Sequence, residues 1–259
     1  MAQIERIYRY PVKGLSAEPL DEVELSIGRG LPLDRMFALA LASTAFDPAH
    51  PVWLAKRNFL MLMRDECLAA LQVSYDDQSG GLRVVRDGRI VLDADVRTED
   101  GRQAIEAFFE AFMAEHGSGP EDLAAGRPRL VRAPDHMFTD NPTPYVSLIN
   151  LATVAEIARA VGREQIDPLR FRGKLYVNGL EPWAEFDWVG GELAAGEVRF
   201  ACAERIDRCA ATNVDPTTAA RDLNIPLALR RSFGHIDCGV LLSVVQGGRL
   251  RSGQQIGPA

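Results

Sequence analysis

The run Gly117-Ser118-Gly119-Pro120 constrains the fold more than any other part of this chain. Glycine and proline at that density end any regular element. The break follows a helical pattern from Gln103 to His116, in which Ile105, Phe108, Phe109, Phe112 and Met113 recur at helical spacing. Such a stripe faces a core, and its aromatics are packing residues rather than cofactor contacts. Short strand patterns dominate both sides of the break. Ile4 to Tyr10 mixes apolar and polar residues as a half-buried strand does. Val23 to Ile27 and Phe37 to Leu41 are further strand candidates. Leu82 to Arg86 and Arg89 to Leu92 flank Asp87-Gly88, a dipeptide that supplies the positive φ angles of a hairpin turn. Beyond the break, Leu151 to Val161 reads as a second amphipathic helix. Strands are predicted at Leu175 to Val177, Val198 to Ala203 and Val240 to Val245, with Gly190-Gly191 and Gly247-Gly248 as turns. The sequence therefore predicts a mixed α+β, strand-rich chain of two linked β-barrel-like domains, residues 1–120 and 121–259, with a few helices. A length of 259 residues suits two ordinary domains.

Composition narrows the function. The formal net charge is −7, and no long basic stretch offsets it, which argues against nucleic-acid binding. No run of 18 apolar residues is present, so a membrane-spanning helix is not expected. Met1-Ala2-Gln3-Ile4-Glu5 lacks the basic-then-apolar pattern of a secretion signal, and a cytoplasmic location is expected. The cysteines are Cys67, Cys202, Cys209 and Cys238, with no C-x-x-C pair, so zinc-ribbon and iron–sulfur spacings fail. A reducing cytosol disfavours disulfides. His50, His116, His136 and His235 form no metal-binding histidine motif.

Cys209 is the candidate of most chemical interest. It follows the apolar run Val198 to Ala203, lies between Arg205-Ile206-Asp207-Arg208 and Ala210-Ala211-Thr212-Asn213, and precedes Asp215-Pro216. Neighbouring guanidinium groups favour a thiolate, which is a nucleophile and a soft metal ligand. Read from these residues alone, a small apolar core residue remains the competing reading. Cys202 reads as a core residue of the strand leading to Cys209. Trp183 and Trp188 read as packing residues, and the segment around His235 and Cys238 as structural.

Three segments resemble one family. Arg208-Cys209-Ala210-Ala211-Thr212-Asn213-Val214-Asp215-Pro216 resembles the cysteine motif of the MOSC family, the C-terminal domain of molybdenum cofactor sulfurases. Tyr10-Pro11-Val12-Lys13-Gly14 resembles the opening of the β-barrel domain that precedes MOSC in many bacterial proteins and in the mitochondrial amidoxime-reducing component. Asp167 to Val177, which contains Arg170-Phe171-Arg172, resembles the family's "RFRPN" strand. The three segments stand in the family's order.

The resemblance implies the molybdenum cofactor, a molybdopterin, with Cys209 as metal ligand and catalytic residue. It implies cofactor-binding roles for Lys13, Arg35, Arg57, Arg172, Lys174 and Arg208; Thr143, in Thr143-Pro144-Tyr145, reads either as strand and turn structure or as a hydroxyl donor to the pterin phosphate. An anionic pterin phosphate and dithiolene require such cationic and hydroxyl donors. Of Lys56-Arg57, the sequence leaves open which points inward. Two departures bear on substrate choice. Gly173-Lys174 stands where the family has proline and asparagine, and lysine meets an anion as a point charge without the amide's acceptor. Asp207, two residues before the cysteine, places a carboxylate where an anionic substrate would be repelled.

The function implied is reduction of N-hydroxylated or N-oxygenated small molecules. Without an iron–sulfur cysteine set in this chain, electrons are expected from a separate donor protein. The alternative implied by the same family is a sulfur carrier or cofactor-handling protein. Cys209 would then hold a persulfide loaded by a separate cysteine desulfurase. A non-catalytic cofactor-binding module is a third reading.

Overall fold

The computed structural model describes residues 1–116 and 126–259, so the predicted break at 117–120 lies outside the described residues. In chain order the strands are β1 (Ala2–Arg9), β2 (Glu18–Leu20), β3 (Glu22–Leu25), β4 (Ala38–Ala40), β5 (Gln72–Asp76), β6 (Gly81–Arg86), β7 (Arg89–Asp95), β8 (Arg129–Val131), β9 (Val146–Asn150), β10 (Leu175–Asn178), β11 (Glu192–Ala195), β12 (Val198–Asp207), β13 (Asp237–Gln246), β14 (Gly248–Arg251) and β15 (Gln255–Pro258). The helices are α1 (Glu99–His116), α2 (Leu151–Ala160) and α3 (Ile225–Phe233).

Seven strands close into a barrel in the order β1-β10-β9-β13-β12-β11-β15, with β15 pairing back onto β1. Closure leaves no unpaired barrel edge. All neighbours are antiparallel except β9 and β10. A parallel pair needs a crossover, and α2 supplies it. The interior is filled by alternate residues such as Ile4, Leu148, Val177, Phe200, Val240 and Leu242. A bulge between Ile4 and Arg6 shifts the register of β1, so Ile7 rather than Arg6 returns to the core.

The barrel does not begin after residue 120. It takes β1 from the start of the chain, and β3 pairs with β14 near its end. Within the first 25 residues β1 is thus a barrel strand, β2 pairs with it, and β3 forms a separate two-stranded sheet with β14, while the other barrel strands lie at 146–258. The physical cause is closure: β10 and β15 each need a partner, and the Ala2–Arg9 strand satisfies both.

The intervening segment forms a β4–β8 ribbon and a β5-β6-β7 meander. The Asp87-Gly88 turn has the positive φ angles expected of it, 50° and 73°. Helix α1 covers the meander with Ile105, Phe109, Phe112 and Met113, against Val73, Tyr75, Leu82 and Val84. Its start is capped by the Thr98 hydroxyl, which accepts from the Gly101 amide. The sequence reading did not include α3, although its signals are present. Asn224 caps it, Pro226 sits in its first turn, and Gly234 ends it at φ 80°. Trp188 is buried in the barrel core, and Trp183 packs at its margin.

Candidate functional site

A cleft of about 410 Å³ opens where the barrel meets the intervening segment. Its size lies within the range of about 300–1,000 Å³ found for small-molecule sites. Lys13, Arg35, Thr143, Arg172, Lys174, Arg208 and Cys209 all line it. Lys13 and Cys209 lie far apart in the sequence, so tertiary folding brings them together.

Each arrives by a local structural cause. Lys13 follows β1 on a stretch tied to Phe37, whose carbonyl accepts from the Lys13 amide at 2.8 Å. Arg35 sits in a left-handed conformation, φ 48°, two residues before Phe37. Arg172 also has a positive φ, 51°, and caps the 3-10 turn Pro168–Phe171. The segment resembling a strand is thus a turn followed by β10. Cys209 comes two residues after β12 and opens the 3-10 turn Ala210–Asn213, where its carbonyl accepts from the Thr212 amide at 3.1 Å and hydroxyl at 2.9 Å.

Cys209 is half-buried and lines the cleft. Cys202 and Cys238 are buried, at 2% and 0% exposure. Cys67 is half-buried beside Met113. Burial pushes the Cys202 and Cys67 thiols up to about 11 and Cys238 up to about 12. Those three remain protonated at neutral pH.

The cationic groups differ in how they are satisfied. Asp34 is fully buried, and both its oxygens accept from Arg35 at 2.7 Å. Lys174 lies 3.1 Å from the same carboxylate and also donates to the Tyr145 carbonyl. Burial works to raise the Asp34 pKa, but Arg35 and Lys174 outweigh it and hold it below the usual carboxylate value. Lys13 donates to the Phe138 carbonyl at 3.0 Å and to Asp140. Burial lowers the Lys13 pKa, against the opposing pull of Asp140. Arg172 stacks on Tyr10, its guanidinium carbon 4.4 Å from the ring centroid, and Arg35 lies at 4.6 Å from the same ring. Among the described residues the Arg172 guanidinium has no hydrogen bond and no ion pair. It is an open donor of the cleft.

Two residues named from the sequence behave differently. Arg57 is exposed and lies off the cleft, while Lys56 lines it. These adjacent residues share a 3-10 turn, Lys56–Asn58, and project in different directions. Burial works to lower the Lys56 pKa, but Cys209 and Asp140 outweigh it and raise it. Arg208 borders the cleft, but its guanidinium turns inward. Nε donates to the Cys238 carbonyl at 2.8 Å and Nη1 to the Phe171 carbonyl at 2.9 Å. Its donors fasten β12 to β13 and to the Arg172 turn.

Neither Asp34, Asp140 nor Tyr10 was given a site role from the sequence. Asp34 and Tyr10 adjoin residues that were named, and a buried arginine calls for a carboxylate nearby. Asp140 lies in an irregular loop, Thr139-Asp140-Asn141, that carries no local signal.

The fold and cleft define a closed β-barrel protein that presents one half-buried thiol to a cation-lined cavity. Residues 135–257 match the family model of the MOSC domain. A protein of Caenorhabditis briggsae described as a molybdenum cofactor sulfurase is 25% identical over 236 residues, covering 88% of this chain and 31% of that protein. A Caenorhabditis elegans protein of the same description is 34% identical over 91 residues, covering 35% of this chain and 12% of that protein. The chain thus spans about a third or less of the length of these relatives. Among solved structures, the YUAD protein from Bacillus subtilis aligns with a TM-score of 0.45 at 12% identity, covering 98% of this chain and 93% of that one. YiiM from Geobacillus stearothermophilus aligns with a TM-score of 0.35 at 15% identity, over 44% and 53% of the two chains.

Proposed function

We propose that the cleft binds the molybdenum cofactor with Cys209 as the protein ligand to the metal, and that the chain reduces N-hydroxylated or N-oxygenated small molecules. The observation that carries this reading is convergence on one cavity. The cleft-lining thiol shares it with the open guanidinium of Arg172 and with Lys13, Lys56 and Arg35. This donor set fits the group: thiolate sulfur suits a soft metal, and cationic side chains suit a pterin phosphate. Among the described residues no cluster of three or more His, Cys, Asp or Glu side chains could hold a metal ion, so further ligands would come from the cofactor. When bound, the cofactor supplies two-electron oxygen-atom transfer.

The chain's own residues bind and orient. Arg172, over the Tyr10 ring, offers a planar fork to a phosphate. Asp34 holds Arg35 and Lys174 in place, and Arg208 braces the backbone on either side. Glu204 and Asp207 are exposed and line the cleft near Cys209, which favours neutral or cationic substrates over anionic ones. A separate protein would deliver the electrons.

The relatives' description as molybdenum cofactor sulfurases favours a second reading, in which Cys209 carries sulfur supplied by a separate desulfurase. Freshly purified protein separates the two. Molybdenum and pterin bound together, with reduction of an N-hydroxylated amidine by chemically reduced protein, support the reductase. Cyanide-labile sulfur on Cys209 without metal supports the carrier. Cys209→Ala removes a half-buried sulfur and should cost stability on the order of 1 kcal/mol. It should nevertheless abolish turnover or sulfur loading. Full turnover by Cys209→Ala refutes the ligand role.

A further inference from the structure

Lys13 is buried, with its side chain 5% exposed, whereas the Asp140 side chain that pairs with it is 60% exposed. That asymmetry marks which partner can leave. Withdrawing the lysine charge from all partners inside the protein would cost several kcal/mol. Asp140 would lose little by turning toward water, where a carboxylate is well solvated.

The loop around Asp140 is anchored on one side of it. The Phe138 amide donates to the Arg35 carbonyl at 2.9 Å, and the Phe138 ring is buried. The Thr139 hydroxyl donates to the Asn141 carbonyl at 2.6 Å, and the Thr139 carbonyl accepts from the Trp53 indole at 3.1 Å. The Asp140 side chain can therefore swing by a rotamer change with the backbone in place. Lys56, 3.9 Å from its second oxygen, offers a partner on the solvent side.

We infer that Asp140 is an internal stand-in for the anion of the ligand, and that a phosphate-bearing ligand displaces it from Lys13. Asp140 then determines specificity. A ligand must bring enough negative charge to Lys13, Arg172 and Lys56 to replace a carboxylate already in place. A neutral ligand gains nothing from the exchange. This rests on the proposed anion-binding cleft, not on the reaction performed there. The affinity cost follows from populations. If the paired arrangement holds about nine-tenths of the molecules, apparent affinity falls about tenfold below that of the open site.

The test uses inorganic phosphate as the probe, titrated calorimetrically into the full chain at fixed ionic strength. Asp140→Asn keeps the side-chain shape and removes the competing charge. Asp140→Ala removes the competing side chain. Both should bind phosphate about tenfold more tightly than the wild type, with a lower melting temperature because buried Lys13 loses its counter-charge, so the titrations are made well below the unfolding transition. In a Lys13→Ala background the same Asp140 substitutions should not give the tenfold gain, because the Lys13 contact that they would release is already absent. Unchanged or weaker phosphate binding by both Asp140 variants overturns the inference. So does a tenfold gain that persists without Lys13, which would be a general charge effect. Failure of the cofactor reading shows separately, as protein purified without molybdenum or pterin, and leaves the phosphate titration able to decide Asp140.

Discussion

Asp34→Asn should destabilise the protein severely while leaving its shape almost unchanged. Asparagine has nearly the volume of aspartate and can still accept from the Tyr10 amide, which Asp34 does at 2.9 Å. What it removes is the charge between Arg35 at 2.7 Å and Lys174 at 3.1 Å. The Asp34 side chain is 0% exposed and that of Lys174 4%, so water cannot replace the lost carboxylate. Breaking a buried pair by removing one partner costs about 3–5 kcal/mol. At roughly 2–4 °C per kcal/mol for a chain of this size, the melting temperature should fall by about 6–20 °C. The assay is denaturant unfolding of both proteins followed by circular dichroism, repeated across acid pH. The pH dependence has a definite sign. The folded-state pKa of Asp34 is held below its ordinary value, so its contribution is complete above about pH 4 and is lost as pH falls through the lower folded value. The gap between wild type and variant should therefore narrow below about pH 4. A variant within about 0.5 kcal/mol of wild type at pH 7, the range of ordinary surface changes, refutes the reasoning.

Gly239→Ala should disrupt the barrel. Gly239 has φ +78°, and a Cβ there would lie 2.3 Å from the Leu148 carbonyl oxygen on β9, which is backbone and cannot yield. The expected loss exceeds about 4 kcal/mol, read by the same unfolding assay, and a loss below about 1 kcal/mol contradicts it. Thiol labelling with a chromogenic disulfide at pH 8 should modify Cys209 in native protein and spare Cys202 and Cys238, with thiols near 11 and 12, until denaturant is added. A Cys209→Ala variant that still labels rapidly would show that another thiol is accessible.

Strand content, the Asp87-Gly88 hairpin, helices α1 and α2 and the Cys209 loop were all legible in the sequence, because each is written in adjacent residues. Periodicity, turn chemistry and capping are local, and a linear reading recovers them. Even Lys13, Arg35 and Arg172 could be named, through the segments that carry them. Choosing Lys56 over Arg57 could not be done, because neighbours in a short 3-10 turn differ only in direction.

The partners of those residues were decided by tertiary structure alone. Pairing depends on which distant backbones closure brings together, and no local pattern encodes that. Ile4 to Tyr10 read as a strand and Ala2–Arg9 forms one, yet only barrel closure makes it the link between β10 and β15. Cys209 could be singled out in the sequence as a thiol of chemical interest. Its place in a cavity with Arg172 open and Lys13 held by Asp140 came from packing, because burying a charge forces the chain to bring a counter-charge to it, from wherever in the sequence one can reach.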